Sequence, residues 1–345
     1  MNKNVSIAIA TALVMNSGVA NAQEAVNIGK HNITLSKDVM TPETLWAMGR
    51  IGSAQASPDG SKIVYQVGYY SVKENKGHQV IYVMNADGKN ARQLTTSAKS
   101  ESSPAWLDNN TIAFLYEGQV WTMNADGTNR KKLSSSDIEI EGFRFSPDGK
   151  KVLLIKSLPY HGTIKKNPSD LPKASGRLIT DMNYRHWDHY VETIAHPFVA
   201  EVTANGISKN DIDIIEGEPY ESPLAPFGGI EQFDWSKDSK QIAYTCRKKE
   251  GVKYAVSTDS DIFLYNLETK KTVNLCKPAD YVEPEIDMTK TLRNQKVNHQ
   301  DGDFNVGYDV NPKFSPDGKY IAWQSMKHDG YESDRNRLCV YEFNT

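Results

Sequence analysis

The sequence predicts an all-β fold, specifically a β-propeller of four-stranded antiparallel blades. Three observations predict it. The tetrapeptide Ser-Pro-Asp-Gly recurs at 57–60, 146–149 and 315–318. Each copy runs into a short strand-forming segment, and a second apolar segment ending in a turn follows. Internal repetition at a fixed period is the signature of a repeat architecture, and four antiparallel strands per repeat make a propeller blade.

The turn comes first. Proline sets φ and glycine accepts the left-handed position, so the tetrapeptide joins two strands. A worn copy, Ser-Lys-Asp-Ser at 236–239, follows Trp235, and a shortened one, Leu-Asp-Asn-Asn at 107–110, follows Trp106. The next strands are Lys-Ile-Val-Tyr at 62–65, Thr-Ile-Ala-Phe at 111–114, Lys-Val-Leu-Leu at 151–154, Gln-Ile-Ala-Tyr at 241–244 and Tyr-Ile-Ala-Trp at 320–323. These β-branched, small and aromatic residues suit a tightly packed sheet. Third strands end in Asn-Ala-Asp-Gly at 85–88 and 124–127 and in Asn-Leu-Glu-Thr at 266–269; Asp-Gly after an apolar run is a hairpin cue. Polar outer strands follow at 91–95, 130–134 and 271–275.

The residues preceding the turns are 56, 106, 145, 235 and 314, spaced by 50, 39, 90 and 79. The first two intervals match one blade of roughly 40–50 residues. The longer ones require insertions, expected at about 157–194 and 277–309. Long loops on a rigid scaffold are where function concentrates. Five blades are thus begun and the last is incomplete, stopping after its third strand. A strand near residues 50–54 would complete it and close a five-membered ring; otherwise further blades and another domain are missing. Ahead of the propeller, expected over 56–345, lies a segment at 23–55 in which Thr41 caps a short helix and Pro42 takes its first position.

Composition agrees with a folded globular chain: 39% hydrophobic and 24% charged among 345 residues, with 10% aromatic. A formal net charge of -3 gives no basic surplus for nucleic acid. Lys3, the apolar stretch 5–15 and Ala20-Asn-Ala22 read as a cleavable signal peptide over 1–22, with cleavage after Ala22 and a periplasmic or secreted mature chain. No later segment has the length of a membrane span. Cys246, Cys276 and Cys339 are an odd, irregular set rather than a disulfide framework, though a Cys246–Cys276 pair is compatible with an oxidising compartment.

Beyond the repeats, several segments are distinctive: Met40-Thr-Pro-Glu-Thr-Leu-Trp-Ala-Met-Gly-Arg50, Tyr184-Arg-His-Trp-Asp188, Ser222-Pro-Leu-Ala-Pro-Phe-Gly-Gly-Ile-Glu231 and Gly307-Tyr-Asp-Val-Asn-Pro-Lys-Phe-Ser-Pro-Asp-Gly318. With them the chain resembles the N-terminal β-propeller region of prolyl oligopeptidase family serine peptidases, nearest the bacterial dipeptidyl-peptidase 5 and acylaminoacyl peptidase type. The resemblance covers essentially all of the mature chain. It implies a propeller of seven or eight blades followed by an α/β-hydrolase domain with a Ser-Asp-His triad, the serine on a Gly-x-Ser-x-Gly elbow. No Gly-x-Ser-x-Gly occurs in the sequence. The C-terminal hydrolase is therefore expected to be absent and no catalytic residue is assigned.

The candidate substrate-cavity residues are Arg185, Trp187, Asp188 and Glu231. Arg185 and Asp188 would orient a peptide and Trp187 would pack on it, although the same trio could form a structural salt bridge at a blade edge. Recognition of a free amino terminus, implied by the resemblance, calls for a secluded acid, and Glu101, Glu141 and Glu231 are available. His186, His189 and His196 lack a standard zinc spacing. Neither metal nor cofactor is expected. Asp59, Asp148 and Asp317 recur in identical turns, which points to backbone bonding rather than chemistry.

Two functions follow. The chain is the substrate-gating and positioning part of an exported serine exopeptidase acting on short peptides, inactive by itself; or it is a free-standing periplasmic TolB-like propeller that binds a partner. If the signal peptide acts as read, intact-mass measurement of the exported protein finds Gln23 at the amino terminus.

Overall fold

The computed structural model describes residues 28–34, 39–160, 164–165, 170–176, 178–179, 185–186, 189–284, 287, 305–330 and 332–343. The signal segment 1–22 lies outside the described residues.

Five antiparallel sheets follow one another along the chain. The first contains β1 (Arg50–Ala56), β2 (Lys62–Ser71), β3 (Lys76–Asn85) and β4 (Arg92–Gln93). The second contains β5 (Glu101–Trp106), β6 (Thr111–Tyr116), β7 (Gln119–Asn124) and β8 (Lys131–Lys132). The third starts with β9 (Ile140–Phe145) and β10 (Lys151–Pro159). Two small ladders interrupt it: β11 (Ile164–Lys165) with β12 (Leu178–Ile179), and β13 (Arg185–His186) with β14 (His189–Tyr190). It then finishes with β15 (Thr193–Thr203) and β16 (Gly206–Asp213). The fourth is β17 (Phe233–Trp235), β18 (Gln241–Cys246), β19 (Asp261–Asn266) and β20 (Lys271–Asn274). The fifth is β21 (Asp309–Phe314), β22 (Tyr320–Ser325) and β23 (Arg337–Glu342), three strands among the described residues. The fold is a β-propeller.

One expectation needs correction. The strand near residues 50–54 does not complete the last sheet; β1 pairs antiparallel with β2, from Arg50 opposite Gly68 to Ala56 opposite Ile63. It is the innermost strand of its own sheet, placed there by the hairpin at 57–60. The helix α1 (Pro42–Ala47) forms as expected, with the Thr41 hydroxyl accepting from Thr44 N–H.

The recurrent turn carries its own wiring. The hydroxyls of Ser57, Ser146, Ser236 and Ser315 donate to Asp59, Asp148, Asp238 and Asp317 at 2.6, 2.6, 2.6 and 2.5 Å. They also accept from the first backbone N–H of the following strand, for instance Lys151 at 2.9 Å and Tyr320 at 2.9 Å. The serine hydroxyl and backbone donors hold Asp59 down to about 2 and lower Asp148 and Asp317. Repetition therefore serves turn geometry, as expected. Ser239, at φ 59° where the other turns have glycine, accepts from Asp148 N–H at 3.1 Å and ties two neighbouring turns together.

The core lies between sheets rather than inside one. Along β6, Ile112 and Phe114 face the first sheet while Ala113 and Leu115 face the third. Along β19, Phe263 and Tyr265 face the third sheet while Ile262 and Leu264 face the fifth. A strand covered on both faces reads as a continuous apolar run, which is why these segments lack a polar-apolar alternation. Cys246 belongs to the cluster between sheets three and four, and Cys276 packs in that between four and five. All three cysteines are free thiols.

Tryptophans that end inner strands stitch adjacent sheets. Trp106 Nε1 donates to Gln55 O at 3.1 Å, and Trp235 Nε1 to Arg144 O at 3.0 Å. No described helix is long and apolar enough to cross a membrane. Replacing Trp235 by Phe keeps most of the buried ring and removes the bond to Arg144; chemical denaturation should show a loss of about 1 kcal/mol.

Candidate functional site

Strand order decides which surface has room for a site. In an up-and-down four-stranded sheet the first and third turns share one face. The second turn and the link to the next sheet share the other. The tight turns at 57–60, 146–149, 236–239 and 315–318 occupy the first face. The segments 160–192, 214–232, 247–260, 275–308 and 326–336 all emerge on the second.

On this long-loop face, residues 222–232 form a folded loop beside the inner strands. Ser222 Oγ donates to Thr245 O at 2.7 Å, Leu224 N–H to Gln232 Oε1 at 2.8 Å, and Ala225 N–H to Glu221 Oε1 at 3.1 Å. The peptides before Pro223 and Pro226 are cis. Gly228 is required where it stands, since a Cβ there would lie 2.5 Å from Leu224 O and 2.7 Å from the Gln232 side chain. The loop holds Phe227 out with 78% of its surface exposed. A one-turn 3-10 helix, Ile230–Gln232, then presents Glu231. Glu231 Oε1 accepts from Gly229 N–H at 2.8 Å. Leu224, Phe227, Glu231, Tyr308, Asn311 and Glu332 line a cleft of about 760 Å³.

Behind the cleft, charges join three inner strands. Arg144 of β9 donates to Asp234 Oδ1 of β17 at 2.8 Å, and Phe314 N–H of β21 donates to Asp234 Oδ2 at 2.9 Å. Lys313 Nζ lies 3.8 Å from the same carboxylate. Partial burial, and then the Arg144 guanidinium, lower the Lys313 ammonium pKa.

Between sheets four and five the long-loop face carries a buried ionic network. Lys277 Nζ donates to both Asp259 oxygens at 2.7 Å and to Asp261 Oδ2 at 3.0 Å, and Lys249 Nζ lies 3.1 Å from Asp259. Ligand-type atoms of Asp261, Cys276 and Asp309 sit within 4.8 Å of one another. The Lys277 ammonium supplies a cation beside this group, 3.0 Å from Asp261. Asp309 is 1% exposed; it accepts from Trp323 Nε1 at 2.7 Å, and its backbone N–H donates to Ser260 O at 3.1 Å. Burial pushes its carboxyl up to about 6. No sequence signal marked this group, because its members are 15 and 33 residues apart and meet only when sheets pack.

The expected site residues are distributed as follows. Glu231 lines the cleft. Arg185 lies in the backbone ladder β13–β14, and Trp187 and Asp188 lie outside the described residues. Glu101 is fully buried, accepting from Ser97 Oγ at 2.6 Å and from Arg130 Nη1 at 2.5 Å, with Arg130 stacked 5.1 Å from the Phe114 ring centre. That arrangement locks a sheet and leaves Glu101 no access to a ligand. Glu141 is exposed on β9. His196 Nδ1 bonds Asp213 Oδ2 at 2.8 Å in a buried pair within the third sheet.

Comparison with known proteins gives consistent results. No family model matches the chain. It is 41% identical over 350 aligned residues to dipeptidyl-peptidase 5 of Porphyromonas gingivalis, covering 100% of this chain and 46% of that protein. It is 36% identical over 312 residues to dipeptidyl-peptidase 5 of Porphyromonas endodontalis, covering 89% and 41%. The chain thus spans just under half the length of these relatives. In fold it is similar to uncomplexed acylaminoacyl peptidase of Pyrococcus horikoshii, with a TM-score of 0.54, 12% identity, and coverage of 86% of this chain and 38% of that one.

Asp309 gives a pH test. Its folded pKa lies above the ordinary carboxylate value of 3.8, so its contribution to stability is fully present below 3.8 and is lost as pH rises through about 6. Urea denaturation should show the chain losing stability between pH 4 and pH 7, by up to about 3 kcal/mol from this group. Asp309→Asn should flatten that trend and raise stability at pH 7.5.

Proposed function

Because the chain is a relative of dipeptidyl-peptidase 5 along its whole length, we propose that it is the β-propeller portion of a peptidase of that type, which admits short peptides and positions them. The identity over the complete chain carries this reading. The cleft supports it with a chemistry suited to a peptide's leading end. Glu231 and Glu332 supply negative charge, Tyr308 and Asn311 supply polar groups, and Phe227 and Leu224 supply apolar surface.

In this reading the amino-terminal ammonium of a peptide meets the Glu231 carboxylate. The Gly229 N–H holds one carboxylate oxygen and leaves the other free to accept a charge-assisted hydrogen bond. The peptide's first side chain packs on Phe227. Arg144, Asp234 and Lys313 fix the spacing of the inner strands beneath, so the cleft keeps its shape when occupied. We assign these residues to positioning and not to bond cleavage, since the sequence has no Gly-x-Ser-x-Gly elbow. Export through the segment ending at Ala22 places the protein in the periplasm or outside the cell.

Calorimetric titration tests the reading. A tripeptide with a free amino terminus should bind at least about tenfold more tightly than its N-acetylated form, and Glu231→Gln should remove most of that difference. Equal affinity for both peptides, unchanged in the variant, would overturn it.

A further inference from the structure

The innermost strands of the first, second and fifth sheets each break register at the same place. Pairing jumps between Ile51 and Ala54 on β1, between Ser102 and Ala105 on β5, and between Val310 and Lys313 on β21. The last two breaks share a sequence pattern and a backbone. Ser103-Pro104 fills one and Asn311-Pro312 the other, and Ser103 and Asn311 both take a left-handed φ, at 53° and 60°. A bulge bends its strand and re-aims a side chain.

These two bulges serve different ends. In β5 the residue is small, and Ser103 N–H donates to Gln66 Oε1 of the first sheet at 2.9 Å, which joins two sheets. In β21 the residue is asparagine, which tolerates the left-handed region, and it lines the cleft that holds Glu231. Asn311 Nδ2 donates to Gln324 Oε1 at 3.4 Å. Its Oδ1 has no partner among the described residues, so the side chain offers the cleft an acceptor.

The neighbouring charges ask for the same kind of ligand group. Glu231 and Glu332 line the cleft as carboxylates, which accept only, and Gly229 N–H already fixes the first of them. A ligand that meets these three side chains must bring donors. The leading end of a peptide has two: its ammonium and the N–H of its second residue. They are three covalent bonds apart, so one peptide presents both to a single cleft.

We propose that Asn311 is a specificity residue of this cleft. Its Oδ1 accepts from the backbone N–H of a bound peptide's second residue, and the protein thereby selects peptides that keep that N–H. The assignment rests on the reading in which the peptide ammonium meets Glu231. A site built to pair with an N–H rejects a ligand that lacks it, because its own acceptor is then left without a partner.

Calorimetric titration of the 345-residue chain tests it with trialanine, trialanine N-methylated at its second residue, and N-acetyl-trialanine. The N-methyl peptide should bind about tenfold more weakly than trialanine. Asn311→Gly keeps the left-handed backbone and removes the acceptor. This variant should bind those two peptides equally and still prefer trialanine to its acetylated form. Asn311→Asp keeps an acceptor oxygen at the same reach and should retain the N-methyl preference. Equal binding of trialanine and its N-methyl form by the unsubstituted chain, or a preference that survives Asn311→Gly, overturns the role of Asn311 and leaves that of Glu231 standing. Loss of the acetyl preference alone overturns the Glu231 reading and keeps Asn311. No binding by any of the three peptides overturns both.

Discussion

A four-stranded sheet that is apolar on both faces cannot stand alone in water, and this constraint shapes the molecule. The middle strands β6, β18 and β19 have almost no exposed side chain because each face is covered by a neighbouring sheet. Coverage on both sides turns consecutive sheets about an axis and forces the chain to step sideways after every fourth strand. The inner strands then converge, which brings Arg144, Asp234 and Lys313 from three different sheets to one place. The tryptophan bonds and paired turns act on top of this packing and fix the angular relation of one sheet to the next.

The same constraint explains what was legible in the sequence. The Ser-Pro-Asp-Gly turns are local chemistry: one serine hydroxyl and one aspartate bind backbone within five residues, so the repeat survives in the letters. The apolar runs after those turns are legible for a similar reason, since most positions in a doubly covered strand are apolar, with Thr245 of β18 a buried polar exception. The short helix at Thr41 and Pro42 follows from capping alone.

Long-range partners were not legible. Glu101 is as good an acid as Glu231 on paper, and only Arg130, 29 residues away, shows that it is committed to holding a sheet. Glu231 was accessible to reasoning because the glycines before it mark a turn, and Gly228 proves to be the position that tolerates no side chain. Whether residues 50–54 closed a ring could not be judged from propensity. It depended on which of two edges the strand joined, and the hairpin settles that in favour of β2. The Asp261–Cys276–Asp309 group left no trace in spacing, since its members belong to two sheets.

The cluster at Asp309 has one more consequence. Cys276, where the polypeptide leaves the fourth sheet, and Asp309, where it enters the fifth, are within 4.8 Å through their side chains. The 32 intervening residues thus depart and return through a single doorway. Such a segment is topologically a pendant. Its two ends are committed, Lys277 to the buried ionic network and Tyr308 to the cleft, so a change of length between those anchors leaves the thread of the strands unaltered and rewrites one side of the protein while its frame stays constant.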